Sequence, residues 1–207
     1  ARQKSLNIDY FHTNFVVCDG LLYYVDYECN PYDPQWNFAN WGNDYWWKSP
    51  AFLDYVKATD TPLDFFSWHM YHRRPHRVEE DVFKVREILD EKGFKDVESI
   101  LNEWNYQRKW EEPDDYSARV RLSIKGAAYV AAIMSTCQNA PLDMLMYYDL
   151  RPNVSYNGAF SAYYYDLLPA YWALYYWAEL ADYGTQVKAE CAEKDIYTTA
   201  AKSVDGK

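Results

Sequence analysis

Between Leu63 and Leu150, three short apolar runs alternate with two long stretches of helical periodicity. That alternation constrains the fold more than any other feature of the chain. Leu63 to Tyr71, Val97 to Trp104 and Pro141 to Leu150 read as strands, the first nearly continuous in apolar residues as a strand buried on both faces is. After the first, Pro75 opens a charged stretch in which Val78, Val82, Val85, Ile88 and Leu89 form one stripe, and Gly93 supplies the stop. After the second, Asp114 or Asp115 caps a helix predicted to run to about Cys137, with Val120, Ile124, Ala127, Ala128 and Ala131 inward. Strands separated by helices of that length pair in parallel, so the fold class is α/β.

The flanks are read the same way. Leu21 to Glu28 is apolar and aromatic, as a strand is, and a short strand is expected near Trp36 to Asn40. Ser49-Pro50 is a good cap and first turn for a helix carrying Phe52, Leu53, Tyr55 and Val56. Leu167 to Tyr183 is an aromatic helix ended by Gly184. Gln186 to Cys191 and Asp195 to Ala201 alternate like antiparallel strands and read as the opening of a separate β domain.

Active sites of parallel α/β folds lie at the C-terminal ends of strands. Three such ends here carry polar groups in apolar surroundings: Ser67-Trp68-His69-Met70-Tyr71, Asn102-Glu103-Trp104-Asn105 and Tyr147-Tyr148-Asp149. Glu103 is the most informative residue, because a carboxylate closing a buried strand must be paired, hydrogen-bonded or functional. From pattern alone it is equally a solvated strand-end Glu bonded to a helix N-terminus. His69 and Tyr71 are candidates for the same pocket or for core packing. Trp68 and Trp104 are stacking platforms or core, and Asp149 bonds a ligand hydroxyl or caps the next helix.

Composition narrows the partners. Aromatics are 19% of the chain, with 22 Tyr and 9 Trp. A thick aromatic core explains that, and so does sugar binding, since pyranose C–H faces stack on indole and phenol rings. The net charge of −10 offers no basic footprint for nucleic acid or anionic lipid. No apolar run is long enough to span a bilayer. Ala1 to Asn7 is polar and lacks the apolar core of a signal peptide, which leaves a cytoplasmic protein or a processed or truncated secreted one. Cys18, Cys29, Cys137 and Cys191 are scattered, so ordinary thiols are expected rather than a disulfide framework or a zinc site. His72 and His76 are four apart, but Arg73, Arg74 and Arg77 beside them disfavour a metal cation.

In order and spacing, Leu63 to Tyr71 followed by Ile100 to Asn105 resembles strands six and seven of clan A glycoside hydrolases, most of all the family 39 β-xylosidase-like enzymes. Asp149-Leu150-Arg151-Pro152 with Asn157-Gly158 resembles the end of strand eight and its loop. The resemblance implies a partial or rearranged (β/α)8 barrel, strands five to eight, over residues 36–184. The first strands of an accessory β-sandwich would occupy residues 185–207. Residues 1–35 stay uncertain, with a barrel strand as one reading. It further implies a retaining glycoside hydrolase in which Glu103 is the nucleophile. His69 and Tyr71 would line the sugar pocket, with Trp68, Trp104, Asn102, Tyr148 and Asp149 as further substrate contacts. No cofactor or metal is required.

Retention needs two carboxyl groups about 5–5.5 Å apart. The Trp-Asn-Glu-Pro-like segment that would supply the acid/base is missing. Glu28, in Tyr27-Glu28-Cys29-Asn30-Pro31, is the nearest substitute, although the order is wrong for the motif. Half a barrel leaves open sheet edges, so a second copy or an N-terminal half-barrel chain is an expected partner beside the carbohydrate. A non-catalytic carbohydrate-binding module and an oligomerisation domain are the alternatives.

Overall fold

The computed structural model describes residues 6–8, 15–18, 21–24, 29–31, 45–109, 115–152 and 156–206. It divides into two units, residues 1–62 and 63–207.

In the first unit, β1 (Leu6–Ile8) pairs with β4 (Cys29–Pro31), and β2 (Phe15–Cys18) with β3 (Leu21–Tyr24), each antiparallel. The strand expected from Leu21 is therefore one arm of a short hairpin. Its expected second half and the strand near Trp36 lie outside the described residues. Helix α1 (Tyr45–Ala58) starts four residues before the expected cap at Ser49 and takes Pro50 into its interior, where the missing N–H removes one intrahelical bond.

The second unit holds three parallel strands in the order β5–β6–β7: β5 (Phe65–His72), β6 (Glu98–Tyr106) and β7 (Met144–Tyr147). Helix α2 (Pro75–Lys92) joins β5 to β6 and buries Val78, Val82, Val85 and Leu89, four of the five residues expected. It ends on Gly93, whose φ of 92° is left-handed backbone that glycine adopts without a Cβ penalty.

Two helices, not one, join β6 to β7. α3 (Asp115–Arg121) stops, and α4 (Ile124–Cys137) restarts behind extended Ser123. The restart changes the helical phase. Ile124 is 77% exposed and Ala128 and Ala131 face solvent, while Ala127, Val130 and Ile133 are buried. Gly126 makes the break possible. A Cβ there would collide with the backbone oxygen of Val120 and stand 2.7 Å from that of Arg121.

Helix α5 (Pro169–Asp182) packs on α4, as do α2 and α3. The tail strands β8 (Thr185–Val187) and β9 (Ala200–Lys202) pair antiparallel and are shorter than expected. They attach to the end of α4: Ser135 and Thr199 share a hydroxyl hydrogen bond of 2.6 Å, and Gln186 donates to Asn139 Oδ1 at 3.1 Å. No helix among the described residues is long and apolar enough to cross a membrane.

Candidate active site

The site is set by register. Residues in register across a parallel pair share a face, and alternate residues along a strand share it too. Trp68 of β5 stands beside Leu101 of β6, but His69 stands beside Glu103, not Asn102. Asn102 is an extra residue, and β6 bulges there. Without the bulge, Glu103 would stand beside Met70 and point to the opposite face. With it, His69, Tyr71 and Glu103 share one face at the C-terminal ends of the strands, and Trp68, Leu101 and Trp104 share the other. Re-aiming one side chain at a strand end is what a bulge does well.

The two faces have different fates. Trp68 and Trp104 are each 1% exposed. Trp68 donates its indole N–H to Ser99 Oγ at 3.1 Å, and Trp104 packs edge-on to Tyr147 and lies 6.4 Å from the Tyr129 ring of α4. Neither has a free ring face on which a sugar could stack, so both belong to the core under the helices. Of the two readings open for them, platform or core, their burial agrees with core and not with the substrate contacts the resemblance implied.

On the other face, the Tyr71 hydroxyl donates to Glu103 Oε2 at 2.8 Å, and His69 Nδ1 lies 3.3 Å from the same oxygen. The side chains of His69 and Glu103 are each 28% exposed, so the carboxylate is reachable and aimed. Burial first, and then the charge of Glu103, push the Tyr71 phenol far above the ordinary tyrosine range, so it remains a donor. The Tyr71 ring is walled by Tyr148 at 6.4 Å and Tyr156 at 5.3 Å, which touch each other at 5.6 Å. Burial and the Glu103 charge raise the Tyr148 phenol as well.

Asn105, two residues beyond Glu103, ties the wall to the strand. Its buried amide N–H2 donates to the backbone oxygens of Tyr148 at 2.5 Å and Tyr156 at 2.8 Å. Arg121, buried in α3, donates to Tyr106 O at 2.9 Å and sets its guanidinium 4.5 Å over the Tyr156 ring. Sequence reasoning missed Asn105, Tyr156 and Arg121 as site-building residues. Parity could have found Asn105, because it lies on Glu103's face. Arg121 stands out only as a charged residue on an inward helical stripe, and Tyr156 carries no periodic signal.

Asp149 is not free for a ligand hydroxyl, nor does it cap a helix. Its Oδ1 accepts the Arg151 backbone N–H at 3.0 Å, and its Oδ2 accepts Nε at 3.0 Å and Nη2 at 2.7 Å of the same residue. The peptide bond joining it to Tyr148 is cis. Asn102 remains beside Glu103, with an Oδ1 that finds no hydrogen-bond partner among the described residues. Glu28 lies outside the described residues.

His72 ends β5 while His76 lies in α2, so the pair does not share a helix. His72 Nδ1 accepts the Arg74 backbone N–H at 3.1 Å, and burial and Arg77 lower its pKa. No group of three or more metal-ligating side chains occurs among the described residues. Cys137 and Cys191 are free thiols, and burial pushes Cys137 up to about 12.

The sequence matches no family model and no curated protein. Solved structures do match. A glucosidase from Croceicoccus marinus aligns with a TM-score of 0.58 at 25% identity, over 75% of this chain and 33% of that one. A GH39 β-xylosidase from Caulobacter crescentus aligns with a TM-score of 0.55 at 22% identity, over 84% of this chain and 36% of that one. The GH39 enzyme from Xanthomonas axonopodis pv. citri aligns with a TM-score of 0.52 at 18% identity, over 64% and 30%. The likeness is one of fold, and two of these three structures are family 39 enzymes. It meets, at the level of fold, the resemblance that the strand-end motifs carried. This chain spans about a third of the length of each of these three structures.

Proposed function

We infer that this chain is the part of a (β/α)8-barrel retaining β-glycosidase that carries the nucleophile, Glu103. β5, β6 and β7 would be barrel strands six, seven and eight, and β8–β9 the opening of an accessory β-sandwich. The observation that carries this reading is the 2.8 Å hydrogen bond from Tyr71 to Glu103 at the C-terminal ends of parallel strands. A donor that holds its proton keeps the carboxylate directed, as a nucleophile requires.

Glu103 would attack the anomeric carbon, forming the glycosyl–enzyme ester as the bond to the leaving oxygen breaks. An acid would protonate that oxygen, and water would then hydrolyse the ester. His69, Asn102 and Tyr148 would contact sugar hydroxyls. Xylose- and glucose-type β-linkages are the substrates that the similar structures support. The acid/base would come from the remainder of the barrel. β5 and β7 are the outer strands of the described sheet, and a closed barrel needs partners there.

A 2-deoxy-2-fluoro β-xyloside or β-glucoside with a dinitrophenolate leaving group isolates the nucleophile, because that group departs without an acid. The expected result is one fluoro-sugar added to the peptide containing Glu103, and none in Glu103→Gln. Addition elsewhere, or undiminished addition in the variant, overturns the assignment. A second reading, sugar binding without turnover, is favoured by Asp149, the other strand-end carboxylate, being held by Arg151. Sugar affinity with no covalent addition would support it.

A further inference from the structure

The loop after β7 contains three consecutive tyrosines that the site does not use. Tyr163 is 86% and Tyr164 84% exposed, and Tyr165 is more than half exposed. An isolated exposed aromatic is ordinary, but a row of three on one loop tip is not.

The loop holding them is closed by its own hydrogen bonds. Asn157, buried at the loop base, accepts the backbone N–H groups of Ala159 at 2.9 Å and Phe160 at 3.1 Å and donates to Pro152 O at 3.2 Å. Above it, Leu168 N donates to Ala159 O at 2.8 Å and Ser161 N to Asp166 O at 2.9 Å. Asp166 N donates to Ser161 Oγ at 2.9 Å, and Tyr165 N to Ser161 O at 3.2 Å. Tyr165 has a φ of 56°, left-handed backbone that a bulky residue adopts only where its surroundings hold it there. The loop backbone is thus held in place while the Tyr163 and Tyr164 rings stay exposed among the described residues.

We propose that the Phe160–Leu167 loop is an accessory carbohydrate-binding platform on which Tyr163 and Tyr164 stack against the pyranose rings of a neutral β-linked polysaccharide. The proposal rests on the carbohydrate chemistry inferred for Glu103. The loop continues directly from the segment that places Tyr148 and Tyr156 around Tyr71, so platform and pocket belong to one stretch of chain at one end of the strands. The chemistry matches a sugar polymer: flat rings for C–H faces and phenol groups for hydroxyls. The −10 net charge opposes an anionic polymer.

Affinity electrophoresis of the full chain in gels containing soluble β-1,4-xylan or soluble mixed-linkage β-glucan tests this. Retardation by at least one polymer is expected, and the gel that retards identifies the sugar. Tyr163→Ala/Tyr164→Ala should weaken that affinity about tenfold. Tyr163→Phe/Tyr164→Phe should retain it, because the rings remain. Covalent addition of the fluoro-sugar at Glu103 should not change in either variant. Absence of retardation in the parent chain, or equal affinity in the Ala variant, overturns the platform. A change of mass in sedimentation with unchanged affinity also overturns it, in favour of a protein contact. If polysaccharide affinity depends on the tyrosines while Glu103 takes no label, the platform stands and the nucleophile assignment falls.

Discussion

At the residue scale, Asn105 decides whether the Tyr71 pocket has a wall. One side-chain amide holds two backbone carbonyls of the loop, those of Tyr148 and Tyr156, from the next strand position on Glu103's face. Asn105→Ala leaves both carbonyls without that donor and opens a small cavity. The expected cost is about 2–6 kcal/mol of stability, from about 1–3 kcal/mol for each of the two orphaned polar groups. Urea unfolding midpoints measure it. Fluoro-sugar addition should slow in the same variant, because Tyr148 and Tyr156 lose their anchor while Glu103 and Tyr71 remain. A variant as stable as the parent would show that the amide is not a staple. Tyr71 illustrates how burial and charge act together: burial is the larger cause of its raised pKa and Glu103 the next. The donor therefore keeps its proton across the pH range in which a carboxylate nucleophile works.

At the element scale, the β6 bulge separates chemistry from core. One residue more or less before Glu103 would exchange the faces of everything after it. The arrangement predicts opposite outcomes for neighbouring aromatics. Trp68→Ala and Trp104→Ala should each cost about 3–5 kcal/mol of stability, the usual range for removing a buried indole. A pocket-lining tryptophan would instead lose sugar affinity with stability nearly unchanged. Thermal unfolding beside polysaccharide affinity distinguishes the two. The α3–α4 break is a second element-scale decision. Two helices in place of one move Ile124 outward and bring Val130 and Ile133 inward, at a junction where Gly126 has no room for a side chain.

At the scale of the whole molecule, neutral buried phenols are a recurring feature. Burial raises Tyr71, Tyr129, Tyr147 and Tyr148 above the ordinary value of 10.0. In each case the folded-state pKa exceeds the unfolded one. The contribution is therefore fully present below pH 10 and is lost as pH rises through the folded values, because only the unfolded chain releases the proton easily. Stability measured by urea unfolding should be level between about pH 7 and pH 8, begin to fall as the unfolded Cys137 thiol ionises, and fall steeply between about pH 10 and pH 12. A flat profile to pH 12 would show that these phenols ionise freely in the folded state.

Much of this was legible in the amino-acid order. The apolar runs and the stripe of α2 identify parallel βαβ units because strand and helix periods differ and burial enforces each one locally. The strand-end motifs point to Glu103, His69 and Tyr71. Strand parity also separates Trp68 from His69 and Tyr71. The Asn102 bulge, the phase change at Ser123, and the closure of Asp149 by Arg151 had no such signal. Each arises when segments far apart in sequence compete for the same space and the same hydrogen bonds. That competition is settled only when β5, β6, β7 and the helices covering them meet.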